Sequence, residues 1–340
     1  MQKVVETIKQ MIKNLEHFQR ILVVYHFDVD GCVSASILWR IFNKLKINAE
    51  FFPATRGHED IVINKVKRNG YEKIILVDYV PGEKLSKELI DYNVDVIDHH
   101  QHEKHLEVFN YLTTADFGYE VSTSYTLSKV AEEFGIKELE WLAFLGAFWD
   151  KCLEKTEFYK KGIYKEKMKE MLPFNLVVSF TQTRGSIELF EILNSSKNEE
   201  EALEKVKELE TYKVAKKIFK DEFEKINTSK KEYKDISLEI YFVKTKFKHI
   251  RIYVDYITYS GEGTFIFILD EKTRYKFSFR TTFNINLLEI IRKLSKKIKN
   301  FNGGGHPQAC GGILMGRNLN ELIEEFIKEY KDYLYTSTQE

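Results

Sequence analysis

Ile21-Leu-Val-Val-Tyr-His26-Phe-Asp28-Val-Asp30-Gly31 is the stretch on which the reading of this chain turns. Its first five residues form an unbroken apolar run, the pattern of a strand covered on both faces rather than one with a wet side. The run gives way to His26-x-Asp28-x-Asp30, where alternate residues of an extended segment project to one side. Gly31 then permits a tight turn into a helix expected over Ser34–Leu45, whose N-terminus favours an anion.

The same grammar continues outward. Ala49–Pro53, Ile74–Val77 and Val94–Ile97 read as further buried strands, with helices such as Glu83–Ile90 between them. This alternation predicts an α/β fold with a parallel sheet covered on both faces, in which ligands sit outside the carboxyl ends of the strands. The unusual residues fall there. Asp78 follows the third strand, Asp98-His99-His100 the fourth, and Asp150 ends the second of two helices expected over about 122–134 and 138–149.

Alone, each of these is weak, because an Asp at a strand end is usually a cap and a His pair is often a surface loop. Together they are specific. Buried acids are costly unless paired or metal-bound, and several carboxylates at one edge would repel one another. Two divalent cations remove the repulsion, and a mixed carboxylate and imidazole set suits manganese better than calcium. Two such ions about 3.5–4 Å apart share one carboxylate and clamp a phosphoryl oxygen.

Composition limits what this edge serves. The 340 residues are enough for two domains, and with Lys+Arg and Asp+Glu both at 52 the net charge is zero. That gives no case for a long duplex-binding track and leaves a small or single-stranded polyanion held by a local basic site. Cys32, Cys152 and Cys310 are too scattered for a disulfide framework or a zinc site. The first twenty residues read as an amphipathic charged helix rather than a signal peptide, and no apolar run approaches membrane-spanning length. A cytoplasmic protein without membrane association is expected, and its Lys-, Glu- and Ile-rich usage resembles that of hyperthermophiles.

Beyond residue 235 the character changes. Leu238–Val243, Ile250–Val254, Thr264–Leu269 and Tyr275–Arg280 read as strands, Ile285–Lys299 as a helix, Gly311–Met315 as a strand and Leu319–Tyr333 as a final helix. The expected organisation is a first domain over 1–190, a charged helical linker over 191–230 and a smaller α/β domain over 231–340. Gly303, Gly304 and Gly305 read as a loop whose backbone N–H groups are suited to an anion nest, with His306 directly after them. Arg292, Lys293, Lys296, Lys297 and Lys299 precede the glycines, and a solvated face that satisfies the helix dipole is the plainer account of them.

These motifs resemble the DHH phosphoesterase family, named for the tripeptide found here at Asp98-His99-His100. His26-Phe-Asp28-Val-Asp30-Gly31 is similar to its first motif in the RecJ-like form, Asp78 to its second and Asp150 to its fourth. Gly303-Gly304-Gly305-His306-Pro307-Gln308-Ala309 resembles the signature of the DHHA1 domain, and Lys276–Arg280 its strand with a phosphate-binding arginine. The resemblance implies two manganese ions, with magnesium an alternative. His26, Asp28 and Asp78 would hold one, and Asp30, Asp78, His99 and Asp150 the other, Asp78 bridging. It implies that His100 contacts the scissile phosphate or assists the leaving group, so His100 and Asp78 carry catalytic roles. Arg280, Gly303, Gly304, Gly305 and His306 would bind substrate across an interdomain cleft.

The activity so implied is hydrolysis of short single-stranded RNA or DNA, or of linear or cyclic dinucleotides such as pApA, to 5′-nucleoside monophosphates. Size favours it, since 340 residues leave no room for an appended oligonucleotide-binding fold. A processive RecJ-like exonuclease is the close alternative, a non-catalytic scaffold in a replication or repair complex a distant one, and a homodimer is allowed.

Overall fold

The structure, a computed structural model, describes residues 1–100, 109–115, 118, 121–245, 250–316 and 318–337, the side chains of 56, 306, 336 and 337 excepted. The chain divides into two compact units, Met1–Ile163 with Glu170–Ala215, and Tyr164–Lys169 with Lys216–Glu340.

The first unit is built on five parallel strands in the order β2-β1-β3-β4-β5, with β1 Ile21–His26, β2 Ala49–Ala54, β3 Lys73–Val77, β4 Val94–Asp98 and β5 Asn110–Thr113. The helices are α1 Gln2–Lys13, α2 Val29–Leu45, α3 Glu59–Asn69, α4 Glu83–Glu88, α5 Thr123–Glu133, α6 Glu140–Trp149, α7 Ile163–Thr181, α8 Thr183–Ser195, α9 Glu199–Glu208 and α10 Glu210–Thr228, where α7 and α10 run across the unit boundary. Even-numbered positions of the central strands (Leu22, Val24, Ile74, Leu76, Val94, Val96) pack with Val62, Val66 and Leu85 of α3 and α4. Helix α2 packs against α5, α6 and α8, and almost every residue of its first half is buried. A helix enclosed in this way carries any acid in its first turn into the interior, and Asp30 stands there.

The second unit holds a mixed sheet in the order β10-β11-β9-β8-β7-β6, with β6 Lys231–Tyr233, β7 Leu238–Val243, β8 Thr264–Asp270, β9 Arg274–Thr281, β10 Phe301–His306 and β11 Ala309–Met315. Ile240, Ile266, Phe279 and Leu314 on one face pack with Ile290, Ile291 and Leu294 of α12 Leu287–Lys297 and with Phe326 and Tyr330 of α13 Leu319–Ser337. The fold is thus α/β in both units, a parallel sheet in the first and a separate mixed sheet in the second.

Two sequence expectations change here. Ile250–Val254 is not a strand: Arg251–Ser260 is a helix, α11. Isoleucine, valine and tyrosine gave it strand character, but its buried positions include Tyr253, Val254, Ile257 and Thr258, which share one helical face. Strands β7 and β8 pair in parallel, so a crossover must join them, and α11 is that crossover. The glycine cluster, in turn, is not a loop. Gly303–Gly305 lie in edge strand β10, antiparallel to β11.

No described helix is long and apolar enough to cross a membrane.

Candidate metal centre

The carboxyl edge of the parallel sheet gathers the acids and imidazoles. His26 is the last residue of β1, and Asp28 caps α2 by accepting the Gly31 N–H at 3.0 Å. A Cβ at Gly31 would lie 2.1 Å from the His26 carbonyl oxygen, so this turn requires glycine. Asp30 follows within the first turn, 2% exposed. After β3 the backbone enters the left-handed region at Asp78 (φ 53°), and the Asp78 N–H donates to the Ile97 carbonyl at 2.9 Å. That region costs a non-glycine residue energy and is found where the surroundings over-determine it. Strand β4 ends in Asp98 with His99 and His100 directly after, and Asp150 caps the C-terminal end of α6.

Three overlapping groups of donor atoms result, each with all its atoms within 4.8 Å of one another: His26, Asp28 and Asp78; Asp30, His99 and Asp150; and Asp78, Asp98, His99 and His100. His26 Nδ1 lies 3.0 Å from Asp28 Oδ2, and His99 Nε2 stands 3.4 Å from both Asp78 Oδ1 and Asp150 Oδ2. The structure therefore brings together every residue that the sequence placed at this edge.

Electrostatics at the edge are unfavourable to bare carboxylates. Burial, then repulsion from Asp150 and Asp28, pushes the Asp30 carboxyl well above its ordinary range. Burial, then Asp30, Asp28, Asp98 and Asp150, does the same to Asp78. A divalent cation offsets this cost, and oxygen donors joined by imidazole nitrogens are the set that manganese or magnesium accepts. The residues present fit such ions.

Asp98 has a separate task that sequence reasoning did not assign. Its Oδ1 lies 3.0 Å from His100 Nδ1, and its Oδ2 accepts the Tyr111 hydroxyl of β5 at 2.6 Å. Burial opposes ionisation of Asp98, but the bonds from His100 and Tyr111 hold it below the usual carboxylate range. In return Asp98 pushes His100 up to about 9, with a side chain that is 57% exposed. The sequence holds a signal for Asp98 in its place at a buried strand end; it holds none for Tyr111, because β5 is four residues with only Thr113 fully buried.

In the second unit, Arg280 lies on β9, which is paired on both sides, so it is not an edge-strand charge. Its Nη1 donates to the Phe279 carbonyl at 2.9 Å and the Cys310 carbonyl at 3.1 Å. The three glycines differ in what they permit. A Cβ at Gly303 would meet Ile291 Cγ2 at 2.7 Å and one at Gly305 (φ 141°) the Ala309 carbonyl oxygen at 2.5 Å, whereas one at Gly304 would enter open space. His306 ends β10, and its side chain lies outside the described atoms. On α12, Lys293 and Lys297 pair with Glu329, and Lys297 also with Glu325, consistent with a solvated, internally neutralised face.

An α/β chain with carboxylate and imidazole donors clustered at one sheet edge, joined to a unit with a mixed sheet, has side chains that could hold a divalent cation. The comparisons narrow the class. Residues 20–145 match the model of the DHH family N-terminal domain, and residues 236–335 that of the DHHA1 domain. The chain belongs to the DHH/DHHA1 phosphoesterase family.

An uncharacterized protein of Methanocaldococcus jannaschii is 27% identical over 161 residues, 44% of this chain; the match spans only 36% of that relative's length. Among solved structures, one described as the DHH domain of a member of a ribosomal-protein family superposes with TM-score 0.67 at 17% identity, covering 96% of this chain and 90% of its own. RecJ from Thermus thermophilus, in complex with Mn2+, gives 0.61 at 16% identity over 97% of this chain and 54% of RecJ. A pGpG-specific phosphodiesterase from Vibrio cholerae gives 0.55 at 13% identity over 93% of this chain and 100% of that one. At these identities the likeness is one of fold.

Proposed function

We propose that this chain is a manganese-dependent phosphodiesterase that hydrolyses short single-stranded oligonucleotides or dinucleotides, pApA among them, to 5′-nucleoside monophosphates. The observation that carries this reading is the meeting of His26, Asp28 and Asp78 with Asp30, His99 and Asp150 at one sheet edge. The first three would hold one cation; Asp30, His99 and Asp150, with Asp78 shared, would hold the other. When bound, two cations would supply Lewis-acid charge at a phosphoryl oxygen and make an attacking water more acidic.

The chain's own residues supply the rest. With its Nδ1 committed to Asp98, the His100 ring keeps a fixed orientation and leaves Nε2 as the nitrogen available to a substrate oxygen. The Asp98 carboxylate at Nδ1 raises His100 and so favours the protonated ring that can donate to a departing ribose oxygen. In the second unit Arg280, the backbone of Gly303, Gly304 and Gly305, and His306 would take a terminal phosphate or base, with the guanidinium as a charge-assisted donor.

Zero net charge supports a small substrate, and the fold shared with a pGpG-specific phosphodiesterase supports a nucleotide one. The fold shared with RecJ supports a second reading, a single-strand exonuclease. Product analysis on end-labelled RNA and DNA of about two to twenty nucleotides with Mn2+ tests both. The first reading expects the shortest substrates to be cut fastest, with log affinity falling gently against log salt, since few phosphates are neutralised. Rates that climb with length, with a steep salt slope, would replace it by the second.

A further inference from the structure

The start of α5 is spent on the acids of the metal centre rather than on its own helix. Ser122 caps α5, accepting the Tyr125 N–H at 3.2 Å, and Ser122, Thr123 and Ser124 are each at most 1% exposed. The Thr123 N–H donates to Asp30 Oδ2 at 3.1 Å, and Ser124 donates to Asp30 Oδ1 from its hydroxyl and, at 3.4 Å, from its N–H. The Thr123 hydroxyl donates to a different acid, Asp78 Oδ1, at 3.0 Å.

First-turn N–H groups of a helix ordinarily go to the cap or to water. Here two of them go to a carboxylate on another helix. Helix α6 leaves room for this arrangement, because a Cβ at Gly146 would lie 2.0 Å from Ser124 Oγ and 2.4 Å from Asp30 Oδ1. The Ser122 N–H also donates to Cys152 Sγ at 3.1 Å, tying the same turn to the segment just after Asp150.

We infer that Thr123 is a positioning residue of the metal centre: one residue holds Asp30 by its backbone and Asp78 by its hydroxyl, and so fixes the separation of the two carboxylates. Ser124 serves Asp30 alone. This rests on the reading of the edge as a two-cation site. Groups that orient metal-ligating carboxylates typically contribute about 10- to 100-fold to metal affinity, and an isosteric loss of the Thr123 hydroxyl is felt wherever Asp78 is a ligand.

The test is a calorimetric Mn2+ titration of the full chain, made metal-free, with melting followed on the same samples. The wild type is expected to bind two ions. Thr123→Val should weaken both by about 10- to 100-fold, Ser124→Ala only one of them, and Thr123→Ser neither. A hydroxyl that serves folding alone would lower the melting temperature of the metal-free Thr123→Val protein and leave both Mn2+ affinities at wild-type values, which overturns the inference. Should Thr123→Val not fold, Thr123→Ser and Thr123→Ala, which differ only in the hydroxyl, decide, and equal affinities in that pair likewise overturn it. A wild type that binds no Mn2+ would instead remove the two-cation reading and the inference together.

Discussion

Asp78 is the acid on which the metal centre depends most, because among the carboxylates of the three donor groups it alone stands in two, and it is 4% exposed. Asp78→Ala is expected to remove both cations and nearly all hydrolysis, checked by Mn2+ binding and rate on the same protein. His100→Ala should differ: both ions stay bound while the rate falls strongly, and loss of one manganese would show that His100 is a ligand instead. The raised carboxyls also set a pH signature. A carboxyl whose folded value lies above its ordinary 3.8 stabilises the fold in its protonated form, below that pH, and the benefit is lost as pH rises through the folded value. In the metal-free protein the contribution of Asp30 and Asp78 to the melting temperature should therefore fall as pH climbs above 3.8, read as the difference between wild type and Asp30→Asn. Mn2+ binds the deprotonated acids, so the rise in melting temperature it causes should grow with pH; a rise independent of pH would count against the site. The ligand residues were legible because His26-x-Asp28-x-Asp30 and the strand-end acids are local patterns. Tyr111 and Asp98 are 13 residues apart and Thr123 and Asp30 are 93 apart, so only the fold joins them.

At the scale of elements, β1, β3 and β4 are legible because they are buried on both faces, whereas β2 is an edge strand, exposed or half-buried over its first four residues and legible from Phe51 and Phe52 instead. Strand β5, four residues at the sheet edge with only Thr113 fully buried, carries too little apolar signal to be seen. Helix α11 reads as a strand because β-branched and aromatic residues favour strands until a parallel crossover demands otherwise, and β10 reads as a loop because a glycine run does. Gly303 and Gly305 are in fact placed where neighbours leave no space for a Cβ. Close approach of elements yields a further prediction. Gly146→Ala should push α6 off α5 and Asp30, lowering both stability and Mn2+ affinity, whereas wild-type Mn2+ affinity in this variant would mean that the Ser124–Asp30 contact is dispensable. At the other end of the sheet, Lys73 and Asp95 form an ion pair at 2.7 Å, their side chains 7% and 5% exposed. Lys73→Met should destabilise the first unit by about 3–5 kcal/mol by leaving a buried charge unpaired, measured by denaturant unfolding.

Over the whole molecule, the two compact units divide the motifs: the acids and imidazoles stand in the first, Arg280 and the glycine strand in the second. Arg280→Ala is expected to cost about 2–3 kcal/mol of substrate binding, roughly 30- to 150-fold in kcat/KM, on a dinucleotide or short oligonucleotide. It should cost little on bis-p-nitrophenyl phosphate, which carries no second nucleotide to hold, and equal losses on the two substrates would take Arg280 out of substrate recognition. The central claim, that the sheet edge is a two-cation phosphodiesterase centre, is tested most directly by the rate of pApA hydrolysis against added Mn2+ in wild type and Asp78→Ala. The expected result is 5′-AMP as product, a rate that reaches its plateau at two equivalents of Mn2+ per chain, none in the presence of chelator, and none from Asp78→Ala. Hydrolysis at the same rate in chelator or in Asp78→Ala, or a plateau at one equivalent, would contradict it.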